Sequence, residues 1–290
     1  MSSPFPLLRL PRLVLCEVFK SLSIGEKIKL SLCSKKVSTQ INNARLYSQK
    51  VIVDLDIDNQ NIIIYSESNK DKFEIVTYPD SGISHNSNTR QFLIPRNAFL
   101  PVIQRILKMF QCKCSAHISD YNDDSFQLFD LQSQFKNLIV DLKRIKDQHL
   151  FLNQISTKFG LVEDLKITSV HDLDFSPVFT SWPQKIEIMQ SAWFTMKHML
   201  ACTCSTIKLG WSNLEIKDLD VILRKWKSGG FPNLERLTLH SQRFTNSGIT
   251  ILGRNLRELN EMIIQTDDGS KKATIRIRFG CVELSVTPFE

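Results

Sequence analysis

The chain has 290 residues, 42% hydrophobic and 23% charged, which is ordinary for a globular protein of one large or two smaller domains. No apolar run approaches the roughly 18 residues of a membrane span, and no secretory signal pattern opens the sequence, so we expect no membrane partner. Seven scattered cysteines are an odd number, which predicts reduced thiols and a cytoplasmic or nuclear location.

The net charge of +7 lies entirely in the first 50 residues. These residues contain nine Lys and Arg and two Glu, whereas the other 240 residues contain 28 charges of each sign. A basic N-terminal surface is suited to steering an acidic protein partner. Because the rest of the chain has no basic bias, we expect no nucleic-acid partner.

An apolar stripe at helical spacing begins just after Pro11, a residue that is tolerated at a helix start. The stripe reads Leu-Pro-x-x-Val-Leu-x-x-Val-Phe-x-x-Leu-Ser, with apolar members Leu10, Val14, Leu15, Val18, Phe19 and Leu22. Ser23 and Glu26 have the spacing of a capping box, so a second helix should begin near residue 24. Ser34 is a candidate cap for a third helix. Three helices in about forty residues bury little apolar surface, and such a unit usually needs a partner.

The Leu-Pro start, the apolar stripe and the later Leu-x-Leu-Cys-Ser-Lys-Lys run closely resemble an F-box, which we assign to residues 4–48. The resemblance implies a non-catalytic protein that binds a Skp-type adaptor and chooses the substrate of an SCF-type, cullin–RING ubiquitin ligase. The adaptor-binding residues that it implies are Leu10, Pro11, Val14, Leu15, Val18, Phe19, Leu22, Leu30, Leu32, Ser34 and Lys35. Val37 departs from the family, which usually has a tryptophan shortly after the Ser-Lys element. The alternative is a helical subdomain that packs on the rest of the chain.

Residues 51–130 are interpreted as a mixed α/β linker region. Alternating apolar residues predict a strand from Val51 to Ile57, and further strands are predicted at Ile62–Tyr65 and Phe73–Val76. The polar segment Pro79–Gln91 is typical of a loop. An amphipathic helix is predicted over 97–110, with a proline in its first turn.

The second half repeats a short apolar alternation at intervals of 21 to 30 residues. The repeats are Val140-Asp141-Leu142, Leu165-Lys166-Ile167, Ile186-Glu187-Ile188, Ile207-Lys208-Leu209 and Leu237-Thr238-Leu239. A helix is predicted from Leu214 to Trp226, before the Gly229-Gly230 stop. This spacing resembles leucine-rich repeats, without their fixed asparagine, and predicts a right-handed, curved α/β domain with parallel strands over 135–290. An irregular α/β domain with accidental periodicity is the alternative. The fold class is therefore α+β or α/β.

All four tryptophans lie in this half, in a setting that resembles the type 2 F-box-associated domain of a family expanded in nematodes. The sequence segments that carry this resemblance are Ser-Ala-Trp-Phe, Leu-Gly-Trp-Ser-Asn-Leu, Leu-Arg-Lys-Trp-Lys and Pro-Asn-Leu-Glu-Arg-Leu. Trp226 fits the buried face of the predicted helix. Trp193 and Trp211 follow predicted strands, so we assign them as candidate target-binding residues at the surface.

No catalytic, cofactor or metal residues are predicted. Phosphate-binding, dinucleotide-binding and nucleophile-elbow motifs are absent from the sequence. The pairs Cys112-x-Cys114 and Cys202-x-Cys204 have closer spacing than most zinc ligands, and His198 is the only neighbour of interest. Asp267-Asp268 before Gly269 predicts a hairpin that leads into Ala273–Phe279. The favoured function is a ligase substrate receptor; a protein-binding scaffold without ligase attachment is the alternative, and a metal-dependent enzyme is a weaker third.

Overall fold

The computed structural model describes residues 7–43, 51–66, 71–78, 91–119, 123–130, 134–168, 175–245 and 248–288. Among these residues, no helix combines the length and the apolar character needed to cross a membrane. The chain forms two compact units, Met1–His117 with Asn122–Lys136, and Asn137–Glu290 with Ile118–Tyr121. Most of the predicted loop Pro79–Gln91 lies outside the described residues.

The first unit opens with the three predicted helices, α1 (Arg12–Ser21), α2 (Ile24–Cys33) and α3 (Lys35–Asn43). Ser23 caps α2 as predicted, because its hydroxyl accepts from the backbone N–H of Glu26 and the Glu26 carboxylate accepts from the N–H of Ser23. A short 3₁₀ helix, Leu7–Arg9, precedes α1. The buried apolar side chains of these helices are Leu15, Phe19, Ile24, Ile28, Val37 and Ile41.

The rest of the first unit contains a five-stranded sheet and two further helices. Its strands are β1 (Val51–Asp56), β2 (Asn61–Ser66), β3 (Lys72–Thr77), β4 (Gln91–Ile94) and β5 (Cys114–Ile118). They lie in the order β5-β1-β2-β3-β4, with β1/β5 and β3/β4 parallel and the other pairs antiparallel. The first three strands confirm the predicted alternation. Helix α4 (Phe99–Phe110) confirms the predicted amphipathic helix, and α5 (Asp123–Asp130) follows.

Polar contacts fix the N-terminal helices to the rest of the first unit. The Asp71 carboxylate accepts from the backbone N–H of Ile24 at 2.6 Å, and so caps α2 from outside. Lys27 of α2 is buried, and burial lowers the pKa of its amine while the charge of Asp71 opposes that shift. Arg105 of α4 donates to the carbonyl oxygen of Ser31 at the end of α2, at 3.0 Å. These helices therefore share a core and polar contacts with the strands.

The second unit contains an eight-stranded sheet in the order β6-β7-β8-β9-β10-β13-β12-β11. The strands are β6 (Phe135–Asp141), β7 (Val162–Thr168), β8 (Lys185–Ile188), β9 (Thr206–Leu209), β10 (Arg236–His240), β11 (Ile263–Gln265), β12 (Lys271–Arg278) and β13 (Cys281–Pro288). Strands β7 to β10 are parallel neighbours, and β10 to β13 are joined by antiparallel pairs.

Four of the five repeat residues lie on neighbouring strands as predicted, namely Ile167, Ile188, Leu209 and Leu239, and all four are buried. The fifth assignment was wrong, because Leu142 follows β6 in a short 3₁₀ helix, Leu142–Arg144. The Asp141 side chain caps that helix by accepting from the backbone N–H of Lys143 at 3.0 Å. This cap ends the strand one residue early.

The helices of the second unit are α6 (Gln148–Ser156), α7 (Met196–Ala201) and α8 (Ile216–Lys227). Helix α8 confirms the predicted helix, with its predicted apolar positions buried at Leu219, Ile222, Leu223 and Trp226. Helices alternate with strands in this half, and the whole chain is α+β. The likeness to leucine-rich repeats stays a prediction.

A buried serine follows each of the strands β8, β9 and β10. Each serine N–H donates to a carbonyl on the neighbouring strand or the turn beside it, so it continues the sheet ladder past the strand ends. The three bonds are Ser191 N–H to Gly210 O (2.8 Å), Ser212 N–H to His240 O (2.9 Å) and Ser241 N–H to Gly280 O (3.0 Å). We call Ser191, Ser212 and Ser241 the serine ladder. It holds the loops that leave the parallel strands in a fixed backbone position.

The predicted hairpin after Asp267-Asp268 is confirmed. Strands β11 and β12 pair antiparallel around this turn, with Gln265 opposite Lys272. The Asp268 carboxylate accepts from the backbone N–H of Ser270 at 3.0 Å, and Gly269 takes φ +76°, where glycine is favoured. Hydrogen bonds from Thr266 and Ser270 lower the pKa of Asp268 to about 2.

Candidate functional site

The start of α1 carries exposed apolar side chains. Leu13 is 83% exposed and Val14 is 46% exposed, while Pro11 just before the helix is also exposed. Isolated exposed apolar residues are common, but three within four positions form a small apolar patch. Exposure of this patch to water is energetically unfavourable. We call Pro11, Leu13 and Val14 the α1 patch.

The predicted adaptor-binding residues in and beside α1 differ in their burial. Leu15 and Phe19 are buried within the chain, and Phe19 is fully so. They therefore hold α1 in place, and a partner that meets the folded chain touches their neighbours instead. Leu10, Val18 and Leu22 are half-buried, whereas Pro11 and Val14 are exposed.

The second predicted patch lies at the end of α2. Leu30, Leu32 and Ser34 are half-buried, and Lys35 is exposed. Lys35 also lines a shallow cavity between α3 and α4, together with Arg105 and Lys108. The cavity is therefore basic, with Lys35 from the basic N-terminal segment and Arg105 and Lys108 from α4.

Sequence reasoning missed Leu13. It lies outside the stripe of residues 15, 18, 19 and 22, and that stripe was the signal for the buried face of the helix. A leucine off the stripe is the signal that could have identified it, because an amphipathic helix normally places a polar residue there.

Trp193 is buried, at 7% exposure, so the prediction that it reaches the surface was wrong. Its ring packs edge-on against Phe175, with centroids 4.9 Å apart. The rest of this aromatic cluster comprises Phe179, Trp182, Phe194 and His198. Trp193 lies five residues past the end of β8, which is far enough for the chain to fold back over the core.

The ring of His198 packs in the aromatic cluster, and both of its nitrogens form hydrogen bonds to the backbone outside the cluster. Nε2 lies 2.8 Å from the carbonyl oxygen of Pro177, and Nδ1 accepts from the backbone N–H of Thr195 at 3.1 Å. This pattern selects the neutral tautomer with the proton on Nε2. Burial lowers the pKa of His198, and the hydrogen bond to Pro177 opposes that shift. Because both nitrogens are engaged, His198 has no lone pair directed at Cys202.

Trp211 reaches the surface as predicted, with 57% of its area exposed. It follows β9 and has a left-handed backbone, at φ +52°. Its ring meets His240 edge-on, with centroids 5.1 Å apart. A bulky residue rarely adopts this conformation, so Trp211 combines exposure with a locally unfavourable backbone.

The cysteine pairs are poor candidates for thiolate chemistry. Burial raises the pKa of the Cys112 thiol to about 11 and that of Cys114 to about 12. Cys202 and Cys204 are buried beside each other, and their mutual hydrogen bond, followed by burial, raises the pKa of Cys204. Only a thiolate binds metal or attacks an electrophile, and the environments of Cys112, Cys114 and Cys204 disfavour it. The hydrogen bond with Cys204 instead lowers the pKa of Cys202, so each C-x-C pair keeps at least one thiol with a raised pKa.

Asp56, Asp58 and His117 bring potential metal ligands within 4.8 Å of one another in the first unit. Both oxygens of Asp56 already accept hydrogen bonds from Asn59, one from its backbone and one from its side chain. These bonds stabilise the turn between β1 and β2. The turn therefore accounts for the position of Asp56.

Comparison with known families gives two matches. A family model described as the F-box domain matches residues 7–49, and one described as F-box associated matches residues 174–239. The uncharacterized protein F59B2.8 of Caenorhabditis elegans is 19% identical over 262 residues, 81% of this chain. The chain spans 60% of that relative's length. No solved structure matches the chain.

The chain carries an F-box and a C-terminal F-box-associated domain. The F-box match covers α1 to α3, including the α1 patch and Lys35. The match to the F-box-associated domain covers β8 to β10 with α7 and α8. It contains Trp193 and Trp211 as well as the first two members of the serine ladder. Proteins of this F-box and F-box-associated kind are generally adaptors.

Strands β7, β8 and β9 of the second unit have one polar sheet face. Its residues alternate in sign across neighbouring strands, and the Glu187 carboxylate lies 3.8 Å from the Lys166 amine and 2.9 Å from the Lys208 amine. The opposite set of side chains on the same strands is buried. The polar face is therefore the accessible one on these strands.

Proposed function

We propose that this chain is the substrate-recognition subunit of an SCF-type ubiquitin ligase. Its F-box binds a Skp-type adaptor and, through it, a cullin, while its F-box-associated domain binds a target protein. The two family matches support this function in general terms, in the order F-box first. The proposed setting is the cytoplasm or nucleus, within the ubiquitin conjugation pathway.

The observation that carries the proposal is the division of α1 into a buried and an exposed apolar side. Phe19 and Leu15 satisfy the packing of the chain itself, so folding does not require Leu13 and Val14 to be apolar. Exposed apolar anchors beside a half-buried rim are typical of helix-mediated protein recognition. Lys35 and the basic cavity between α3 and α4 add attraction for an acidic partner.

In this function the chain accelerates a reaction without taking part in bond making. A target held on the F-box-associated domain presents its lysines near the ubiquitin-charged enzyme at a high effective concentration. The chain itself then supplies binding and orientation and no nucleophile.

A binding scaffold without ligase attachment is the second candidate. It shares the target-binding domain and differs in the role of the F-box, whose helix α2 is fixed to the start of β3 through Asp71 and to α4 through Arg105. The two functions therefore differ in one measurable property, which is direct binding of a Skp-type adaptor.

The test is binding of a purified Skp-type adaptor to the full chain and to the double variant Leu13→Ser with Val14→Ser. Both side chains are exposed, so the variant should keep its unfolding temperature. Loss of two anchors should weaken adaptor binding by about thirty- to a thousandfold, which corresponds to about 2–4 kcal/mol. Isothermal titration calorimetry measures the affinity, and circular dichroism measures the fold.

Val221→Ser is the matched control, because Val221 is an exposed apolar residue on α8 and lies outside the F-box. It should bind the adaptor like the unchanged chain. No measurable binding of the adaptor to the unchanged chain would favour the scaffold, and binding that the double variant retains within threefold would place the contacts elsewhere.

A further inference from the structure

Strand register places five residues along one margin of the sheet in the second unit, which contains the match to the F-box-associated domain. Ile188, Leu209, Leu239 and Val282 are successive register partners across β8, β9, β10 and β13. Val282 in turn faces Ile277 of β12. The residues that immediately follow or adjoin this row lie at the same margin. We call Met189, Trp211, His240, Arg278 and Phe279 the aromatic margin.

The apolar members of the aromatic margin are open to solvent. Met189 is 45% exposed, Trp211 is more than half exposed, and Phe279 is fully exposed. Among the described residues, Phe279 has no aromatic partner and Trp211 meets the His240 ring alone. The packing of the domain therefore does not account for either ring.

Backbone conformation gives an independent argument. Trp211 has φ +52° and Phe279 has φ +42°, and both values lie in the left-handed region that favours glycine and asparagine. Phe279 and Gly280 form the two-residue turn between β12 and β13, where Asn-Gly is the preferred pair. Two aromatic side chains thus occupy positions at one margin where the backbone disfavours them. Such outliers cluster at binding sites.

The serine ladder holds this margin rigid. Ser212, directly after Trp211, donates to the carbonyl of His240, and Ser241, directly after His240, donates to the carbonyl of Gly280 beside Phe279. A binding surface on such a fixed backbone loses little conformational freedom when a partner docks.

Charge selects the partner. Arg276 and Arg278 of β12 are exposed, and among the described residues neither has an ion-pair partner. Glu187, on β8, is already neutralised by two lysines. Two exposed acids flank Arg276: Glu283 is its register partner on β13, and Glu261 lies on the other side of β12, where its N–H donates to the Ile275 carbonyl oxygen. Arg278 is opposite Cys281, so its positive charge is the one that these acids leave unopposed.

Spacing sets the form of the partner. Trp211 and Phe279 are separated by three strand intervals, or roughly 14 Å at about 4.8 Å per strand. An extended chain covers that distance in about four residues at about 3.4 Å each.

We propose that the aromatic margin binds an extended acidic segment of a protein, with two apolar side chains about four residues apart. These side chains rest on Trp211 and Phe279, and a carboxylate of the segment faces Arg278. The inference deepens the proposed function and rests on it only in naming that segment as part of the ligase target.

The probe is a fluorescein-labelled 12-residue peptide, rich in Glu, with two leucines four residues apart. Fluorescence anisotropy measures its binding to the full chain. One control peptide has Lys in place of Glu, and another has Ser in place of both leucines. We expect the probe to bind at least tenfold more tightly than either control.

The decisive variants are Trp211→Asn and Phe279→Asn. Asparagine tolerates the left-handed backbone, so each variant should unfold at the same temperature as the unchanged chain or at a higher one, yet bind the probe at least tenfold more weakly. Val221→Ala removes exposed apolar surface elsewhere and should leave probe binding unchanged. A loss of stability in both asparagine variants, or probe binding that persists in them, would overturn the proposal.

The outcome is independent of the F-box. Adaptor binding measured on the same preparations separates the two hypotheses. Adaptor binding without probe binding overturns the aromatic margin and leaves the ligase function standing. Probe binding without adaptor binding supports the margin and overturns the ligase function.

Discussion

Two tryptophans in similar sequence settings differ in their burial in the structure. Trp193 and Trp211 each follow a strand of the parallel ladder, yet one is buried in an aromatic cluster and the other is exposed. The difference is the length of chain between strand and ring. Trp211 lies two residues past β9, where the serine ladder fixes the backbone, and Trp193 lies five residues past β8. The sequence pattern placed both rings at the surface, which is right for Trp211 and wrong for Trp193.

His198 makes the stability of the domain depend on pH. Its ordinary pKa is 6.5, and burial lowers the pKa in the folded state. The unfolded chain therefore binds a proton at a higher pH than the folded chain does. The stability that neutral His198 contributes is complete above pH 6.5 and is lost as pH falls towards the folded pKa. Chemical denaturation between about pH 7.5 and pH 5 should show a falling free energy of unfolding.

The control for this prediction is His198→Gln, whose side chain keeps a donor and an acceptor but does not titrate. The variant is expected to be less stable at pH 7.5, with a shallower dependence on pH. Equal slopes in the two proteins would assign the pH dependence to other groups.

At the scale of elements, strands were the part of the fold that the sequence predicted best. The Leu-x-Leu alternation located β7 to β10 because it pairs a buried and a half-exposed side on short strands. It failed at Leu142, where the side chain of Asp141 caps a 3₁₀ helix and ends the strand pairing of β6. The pattern also carries no information about β12 and β13 as neighbours of β10, since that pairing depends on the long-range path of the chain.

The variant Leu239→Ala tests directly whether the apolar side of the parallel strands is core. The side chain is fully buried between neighbouring strands, so its truncation should cost about 2–5 kcal/mol in the free energy of unfolding. Thr238→Ala, on the accessible side of the same strand, should cost about 0.5 kcal/mol or less. Urea denaturation of the full chain measures both. Equal small costs would mean that the two sides of β10 are not distinguished by packing.

The F-box helices show the same division between local and long-range information. The capping box at Ser23 and the stripe of α1 were readable because they involve residues three or four apart. The burial of Lys27 could not be predicted from the sequence, because Asp71 lies 44 positions further along the chain and only the folded structure brings the two together. Exposure at the α1 patch was partly readable, because Leu13 lies off the stripe, whereas Val14 was assigned to the stripe and is exposed.

For the whole molecule, the distribution of charge is the feature that sequence alone establishes fully. The first 50 residues carry the entire excess of +7. Attraction between this region and an acidic adaptor acts over a Debye length, which shrinks from about 10 Å at 0.1 M salt to about 3 Å at 1 M. The association rate constant with a Skp-type adaptor should therefore fall about tenfold over that range in stopped-flow measurements, while dissociation changes less.

The variant Lys35→Glu with Lys36→Glu should lower the association rate at 0.1 M salt and weaken its dependence on salt. Lys143→Glu with Lys146→Glu makes the same change in charge on exposed residues outside the F-box and serves as the control. If both pairs slow association equally, net charge matters and its location does not.

The serine ladder has a consequence for how such a domain can diversify. Its bonds fix the main chain through small buried residues, while the positions just before them, such as Met189, Trp211 and His240, point outward and contribute little to the core. Residues at those positions can change without altering the frame, much as antibody loops vary on a constant scaffold. A library randomised at residues 189, 211, 240 and 279, with the three serines kept, should consequently yield folded proteins with new binding preferences.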